Sequence, residues 1–104
     1  MQTHSITLGM NIPDSGKVTN QMWSQFLETE ILQRLDYATI TEAMGIYKGT
    51  IENSKIISVT VDERTTTSLK IIEYLKNLGQ VYKQQFRQDT VLYTCTQIPI
   101  LEFA

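Results

Sequence analysis

The sequence predicts an α+β fold, a four-stranded antiparallel sheet carrying two helices on one of its faces. Three observations predict it. Two segments, 19–35 and 62–87, repeat apolar residues at three- and four-residue steps, the period of a helix with one buried stripe. Shorter segments rich in β-branched and aromatic residues flank them. The link between the two middle segments of that kind is short enough to make them an antiparallel hairpin.

Ile6, Leu8, Met10 and Ile12 alternate with Ser5, Thr7, Gly9 and Asn11, which is the pattern of a half-buried strand. Pro13-Asp14-Ser15-Gly16 ends it with turn chemistry. Thr19 is placed to cap a helix whose stripe is Trp23, Phe26, Leu27, Ile31 and Leu35, ending near Leu35-Asp36. A second strand over 39–47 and a third over 55–61 follow, joined by 49–54. Asp62 or a following threonine opens the second helix, with Leu69, Ile72, Leu75, Leu78, Tyr82 and Phe86 as its apolar face. Gly79 inside that helix costs about 1 kcal/mol against alanine, so a kink or a close approach to the sheet is expected there. The segment 90–96 is the last strand, and Pro99 keeps the tail out of a central ladder. The order β-α-β-β-α-β is the ferredoxin-like, or split βαβ, sandwich.

The chain has 104 residues, which bounds it to one domain, 1–104, with a core over about 5–96 and a tail over 97–104. Hydrophobic content of 41% and charged content of 19% are ordinary for a globular domain. A net charge of -2 argues against a nucleic-acid partner. No apolar run reaches the roughly 20 residues of a membrane helix. The first residues show no secretory signal pattern, so a cytoplasmic location is expected. Cys95 is the single cysteine; in an apolar alternating run it reads as a buried, inert thiol.

The residues that could carry chemistry are few. His4 is the only histidine, near the terminus and far in sequence from Cys95, so no metal site, no catalytic pair and no cofactor are expected. No phosphate-binding glycine loop occurs. The densest polar cluster surrounds the expected hairpin, where Glu42, Lys48, Glu52 and Lys55 could orient a small ligand with Tyr47 and Tyr93 as flat walls. A solvated hairpin with weakly paired charges is the plain alternative. Lys76, Gln80, Lys83 and Arg87 form a basic stripe on the second helix. Only the first strand alternates cleanly, so the sheet face away from the helices is expected to carry Ile56, Tyr47 or Met44, and Leu92 or Tyr93. A patch of that kind marks a partner surface. Ile56, Tyr82, Lys83 and Arg87 are the candidates for it, with segment 98–103 covering what remains.

Leu8-Gly9, Pro13, Gly16, Val18-Thr19, Trp23 and Phe26-Leu27 stand in one order with Gly45-x-Tyr47, Glu52-x-Ser54-Lys55 and Tyr82-Lys83-x-x-Phe86-x-Gln88-x-x-Val91-Leu92. This series resembles an uncharacterised bacterial family, catalogued as a domain of unknown function. Tyr47 stands where that family usually has tryptophan. The resemblance implies the ferredoxin-like fold and marks Tyr47, Glu52, Lys55, Tyr82 and Gln88 for attention, without implying an activity. From the residues, the first expectation is a non-enzymatic module that binds a ligand or protein and self-associates through its sheet, most simply as a homodimer. The alternative is a cofactor-independent enzyme of the dimeric α+β-barrel kind, acting on a small organic molecule.

Overall fold

A computed structural model describes residues 1–14 and 16–99. Its main sheet has four strands: β1 (Gln2–Gly9), β4 (Thr39–Tyr47), β5 (Thr50–Val61) and β6 (Leu92–Gln97). They lie in the order β4-β5-β1-β6, every neighbouring pair antiparallel. Each strand–helix–strand passage therefore skips one place, which a strand of the other passage fills. Two short strands, β2 (Asn11–Ile12) and β3 (Gly16–Lys17), make a separate hairpin after β1.

The first helical passage is composite: α1 (Asn20–Phe26), a π-helical turn (Leu27–Ile31) and α2 (Leu32–Arg34). Thr19 caps it, its Oγ1 accepting from Met22 N at 3.1 Å while its own N–H reaches Met22 Sδ at 3.3 Å. The wide turn was not legible in the apolar spacing. It places Thr29 Oγ1 to donate to Gln25 O at 2.8 Å and keeps Ile31 and Leu35 buried. The second helix, α3 (Thr66–Gln85), is capped by Thr65, whose Oγ1 accepts from Ser68 N at 3.1 Å. Its far end closes with Gln88 N–H donating to Lys83 O at 2.9 Å and Arg87 at φ 52°, a Schellman closure built without glycine. That left-handed residue lets a helix turn into a strand within a few residues.

Both helices cover one face. Ile6 and Leu8 of β1 and Ile57, Val59 and Val61 of β5 point into it, each 0–2% exposed. Phe26 packs edge-on against Tyr82 and Phe86 above them, and those two rings meet at a tilt, with ring centroids 4.8–5.9 Å apart. Gly79 marks a close approach, since a β-carbon there would lie 3.3 Å from Val91 Cγ1 and 3.7 Å from Ile6 Cγ2. Of the two expectations for this glycine, close approach is the one realised, and α3 runs through it unbroken.

Several expectations need correction. Leu69 is exposed because the buried stripe of α3 runs through Ser68, Leu75, Leu78, Gly79 and Tyr82, and Leu69 lies off that stripe. Ile40, Met44 and Ile46 do share a face of β4, but it is the helix-side face, extended past the helices. Met44 and Ile46 are 71% and 79% exposed there. The other sheet face carries Ile56, Tyr47 and Leu92, while Met44 and Tyr93 point the opposite way. Around those three stand hydroxyls, among them Thr3, Ser5, Ser58, Thr60, Thr94 and Thr96, with Thr3 and Thr60 bonded at 2.9 Å and Ser5 and Ser58 at 2.8 Å. That face is mainly a hydroxyl surface, where apolar alternation alone suggested a greasy one. The tail expected over it falls largely on residues 100–103, outside the described ones; Ile98 N–H donates to Met1 O, continuing the β1–β6 pairing. No described helix is long and apolar enough to cross a membrane.

Candidate functional site

An open concavity lies on the hydroxyl face, at the end of the sheet where β1 gives way to the small hairpin. It is an open groove of about 630 Å³. Gly9, Glu52 and Thr7 form its floor, Tyr47, Lys48 and Thr50 one end, and Asn11 to Pro13 with Gln88 to Thr90 the rim.

The floor is shaped by Gly9. Gly45 pairs directly with Glu52 across β4–β5, and Gly9 pairs with Ser54 two residues further along the same strand. With no side chain at Gly9, the Glu52 carboxylate lies down over the Gly9 backbone, where a β-carbon would stand 2.2 Å from its Oε1; a β-carbon at Gly45 would meet only the Glu52 carbonyl oxygen, at 3.9 Å. Gln88 reaches the same spot, its Oε1 3.0 Å from that β-carbon position, while its Nε2 donates to Asn11 O at 2.8 Å and Phe86 O at 3.1 Å. Beneath the floor the buried Tyr82 hydroxyl donates to Gly9 O at 2.5 Å. Burial, and then the negative charge of Glu52, push that phenol well above the ordinary tyrosine range. Tyr82 thus stays protonated and braces the strand from below. It is no base.

The wall at the groove's end comes from a two-residue turn. Lys48 at φ 51° and Gly49 at φ 75° give a turn of the kind that matches strand twist. Lys48 Nζ lies 5.3 Å from the centroid of the Tyr47 ring, and both residues line the groove. A carboxylate on the floor, a cation and an aromatic plane at one end, and flanking hydroxyls can hold a small polar molecule with a flat part and a positively charged part.

Tyr47, Lys48 and Glu52 of the expected ligand set come together here. Glu42, Lys55 and Tyr93 do not, because odd and even positions of a strand face opposite ways. Lys55 turns to the helix side, where its ammonium pairs with Glu42 and lies 5.4 Å from the Trp23 ring. The Lys55 bond holds the exposed Glu42 carboxyl below the ordinary range. The expected partner surface is also divided. Tyr82 is fully buried, Ile56 is half-buried on the hydroxyl face, and Lys83 and Arg87 sit at the end of α3. Gly9 was missed as a floor residue, although a glycine inside an otherwise alternating strand signals a close approach.

Two further expectations are overturned at the opposite end of the sheet. His4 belongs to β1 with a partner strand on each side and is 5% exposed. Cys95 is exposed, because β6 is an edge strand and the helices stop short of it. Strand pairing sets His4 directly opposite Cys95, undoing their separation in sequence. Among the described residues no group of three or more His, Cys, Asp or Glu side chains is arranged to hold a metal ion.

The chain belongs to the family described as "Protein of unknown function (DUF3574)", which matches residues 3–100. No curated protein matches it. Among solved structures it resembles a phage SAM lyase in the apo state, with a TM-score of 0.65 and 21% identity over 91% of this chain and 78% of that one. The same kind of enzyme in complex with S-methyl-5′-thioadenosine gives a TM-score of 0.65 and 20% identity, covering 92% of this chain and 80% of that one. A de novo designed protein, Foldit4, follows at a TM-score of 0.56 and 12% identity, covering 93% and 97%. At these identities the likeness concerns the fold. It runs against the expectation of a non-enzymatic module and toward its enzyme alternative, because the two natural chains named here are those of an enzyme.

Proposed function

We propose that this member of a family of unknown function is a cofactor-independent enzyme that acts on a small organic molecule in the Glu52 groove. We read the interleaved strand order as the ferredoxin-like βαββαβ arrangement, working in the cytoplasm. The observation that carries the proposal is the glycine-cleared floor with the Glu52 carboxylate laid across it.

The substrate class is read from the chemistry of the groove together with the activity for which the similar enzyme is named. A sulfonium nucleoside such as S-adenosylmethionine has a flat base, ribose hydroxyls and a cationic sulfur. Tyr47 offers a stacking plane, Thr7, Thr50 and Ser54 offer hydroxyls, and Glu52 offers the counter-charge. A lyase breaks a carbon–sulfur bond without water. The bonding pair goes to sulfur, which becomes a neutral thioether, and the carbon arm gives up a proton as it forms a double bond. Glu52 is the half-buried carboxylate on the floor and takes that proton; Asp89, the other lining carboxylate, is exposed on the rim.

The test is direct: incubate the purified protein with S-adenosylmethionine and follow S-methyl-5′-thioadenosine by mass-resolved chromatography. Product is expected from the natural chain, and about 10²-fold less or none from Glu52→Gln. No product from S-adenosylmethionine at any enzyme concentration overturns the substrate class. Turnover that Glu52→Gln leaves intact overturns the role of the groove.

The exposed Met44, Ile46 and Ile51 at the β4–β5 tip support a homodimer as the working assembly. A native mass of one subunit at micromolar concentration would remove that part.

A further inference from the structure

The floor of the groove gathers oxygens and holds nothing that donates to them. Around Gly9 two side-chain oxygens close on one point: a β-carbon there would stand 2.2 Å from Glu52 Oε1 and 3.0 Å from Gln88 Oε1. The Gln88 amide can sit only one way round. Its Nε2 donates to Asn11 O at 2.8 Å and Phe86 O at 3.1 Å, and carbonyls accept but cannot donate, so the oxygen is the end left to face Gly9. The Gln88 backbone N–H is tied as well, to Lys83 O at 2.9 Å. Gln88 is thus a fixed acceptor, half-buried like Glu52 beside it.

No donor answers the pair. The amide hydrogens of Gln88 are spent on carbonyls, and the Tyr82 hydrogen is spent on Gly9 O. Lys48, the cation among the lining residues, has its Nζ 5.3 Å from the Tyr47 ring centroid, and Lys55 pairs with Glu42 on the opposite face. Among the described residues no hydrogen bond or ion pair reaches the Glu52 carboxylate or Gln88 Oε1.

Two oxygens this close to one point can be bridged by a single nitrogen at hydrogen-bond lengths of about 2.8 Å. That nitrogen must carry at least two hydrogens, and beside a carboxylate it gains from a positive charge. A primary ammonium has both. A sulfonium or a quaternary ammonium has the charge and no hydrogen to give.

Resting on the Glu52 groove as the substrate site, we propose that its floor selects a primary ammonium group, with Gln88 as the residue that sets this specificity. The substrate class is then an organic cation with an ammonium on the arm that reaches the floor. In a sulfonium nucleoside such as S-adenosylmethionine that arm is the amino-acid one. Its ammonium takes the Gly9 end of the floor and brings the neighbouring carbons of the same arm to Glu52.

Titration of the isotopically labelled full chain, followed by NMR at the Gly9 backbone amide, tests this with two probes, n-butylammonium and tetramethylammonium. The natural chain is expected to half-saturate with n-butylammonium at a concentration about tenfold lower or less. Gln88→Met should raise that concentration about tenfold and leave the response to tetramethylammonium unchanged. Gln88→Glu loses the same bonds to Asn11 and Phe86 but keeps an acceptor, so it should bind n-butylammonium at least as well as the natural chain. A residue that only braced the hairpin would make the two variants behave alike. No response to n-butylammonium, or an equal response to both probes, would overturn the ammonium selection. Equal weakening in Gln88→Met and Gln88→Glu would overturn the role of Gln88. Neither readout uses turnover: a preference for n-butylammonium in a chain inert toward S-adenosylmethionine would uphold this inference and remove only that substrate.

Discussion

The Glu52 carboxylate lies against Gly9 so closely that a β-carbon on Gly9 would stand 2.2 Å from its Oε1. The obstacle is the far end of a flexible side chain, so Gly9→Ala should fold normally while turning Glu52 off the floor. Product formation should fall about as far as in Glu52→Gln, roughly 10²-fold or more. Comparing rates with circular dichroism melts of the same samples checks it. Full activity in Gly9→Ala would separate the carboxylate's position from the chemistry.

The Tyr82 hydroxyl is the partner of a strand carbonyl beneath the groove, donating to Gly9 O at 2.5 Å. Tyr82→Phe keeps the ring in its aromatic cluster and strands that acceptor, which should cost about 1–3 kcal/mol in urea unfolding. Because the phenol is held protonated, the pH profile of turnover should not change. A lost limb in that profile would mean Tyr82 takes part in proton transfer.

Lys48 holds φ 51° in the β4–β5 turn, where a lysine pays about 1 kcal/mol that asparagine largely avoids. Lys48→Asn should therefore raise the denaturation midpoint by about 0.5–1 kcal/mol equivalent. If the cation over Tyr47 also helps hold substrate, the same variant will show a raised KM with unchanged kcat.

His4 gives stability a pH dependence of definite sign. Its pKa in the folded chain is lowered, first by burial and then by Lys76, with Glu63 opposing, from the ordinary 6.5. As pH falls past that value the unfolded chain takes up the proton first, so folding weakens through the range below it. Thermal midpoints should drop as pH falls through 6.5 and below in the natural chain, and that part of the slope should vanish in His4→Gln. The carboxyls of Glu42, Asp62 and Glu63 are also held low, and their loss belongs to a lower window, below their ordinary 3.8–4.5.

Gly79 has only 3.3 Å to Val91 Cγ1 in which to fit a side chain. Gly79→Leu should force α3 away from β1 and β6 and cost about 1–3 kcal/mol, despite leucine's better helix propensity. A neutral or stabilising result would mean that the helix can shift outward freely.

The element order was readable because apolar spacing is a local property. Ile6, Leu8 and Ile12 are buried as their alternation requires, and the strand predicted over 39–47 is the observed β4, Thr39–Tyr47. Where a local signal needed a distant partner to interpret it, reading failed. Leu69 and Met44 fit apolar patterns yet find nothing above them, and the π-helical turn leaves no trace in a three-and-four spacing. Half of the expected ligand set landed on the wrong side of the sheet, since Glu52 and Lys55 differ by an odd number of residues along β5 and must point apart.

The amino-acid order alone determined the four main strands and the two helical passages, the Thr19 cap, a cap for the second helix among Asp62 and the threonines after it, and the stripes that form the core, because each depends on neighbours within a turn or two along the chain. Tertiary structure decided which chemistry meets. The 2.2 Å relation of Gly9 to Glu52 and the 3.7 Å relation of His4 to Cys95 join residues 43 and 91 positions apart. Strand register creates such contacts, and register is fixed by how whole faces pack, which no local pattern records.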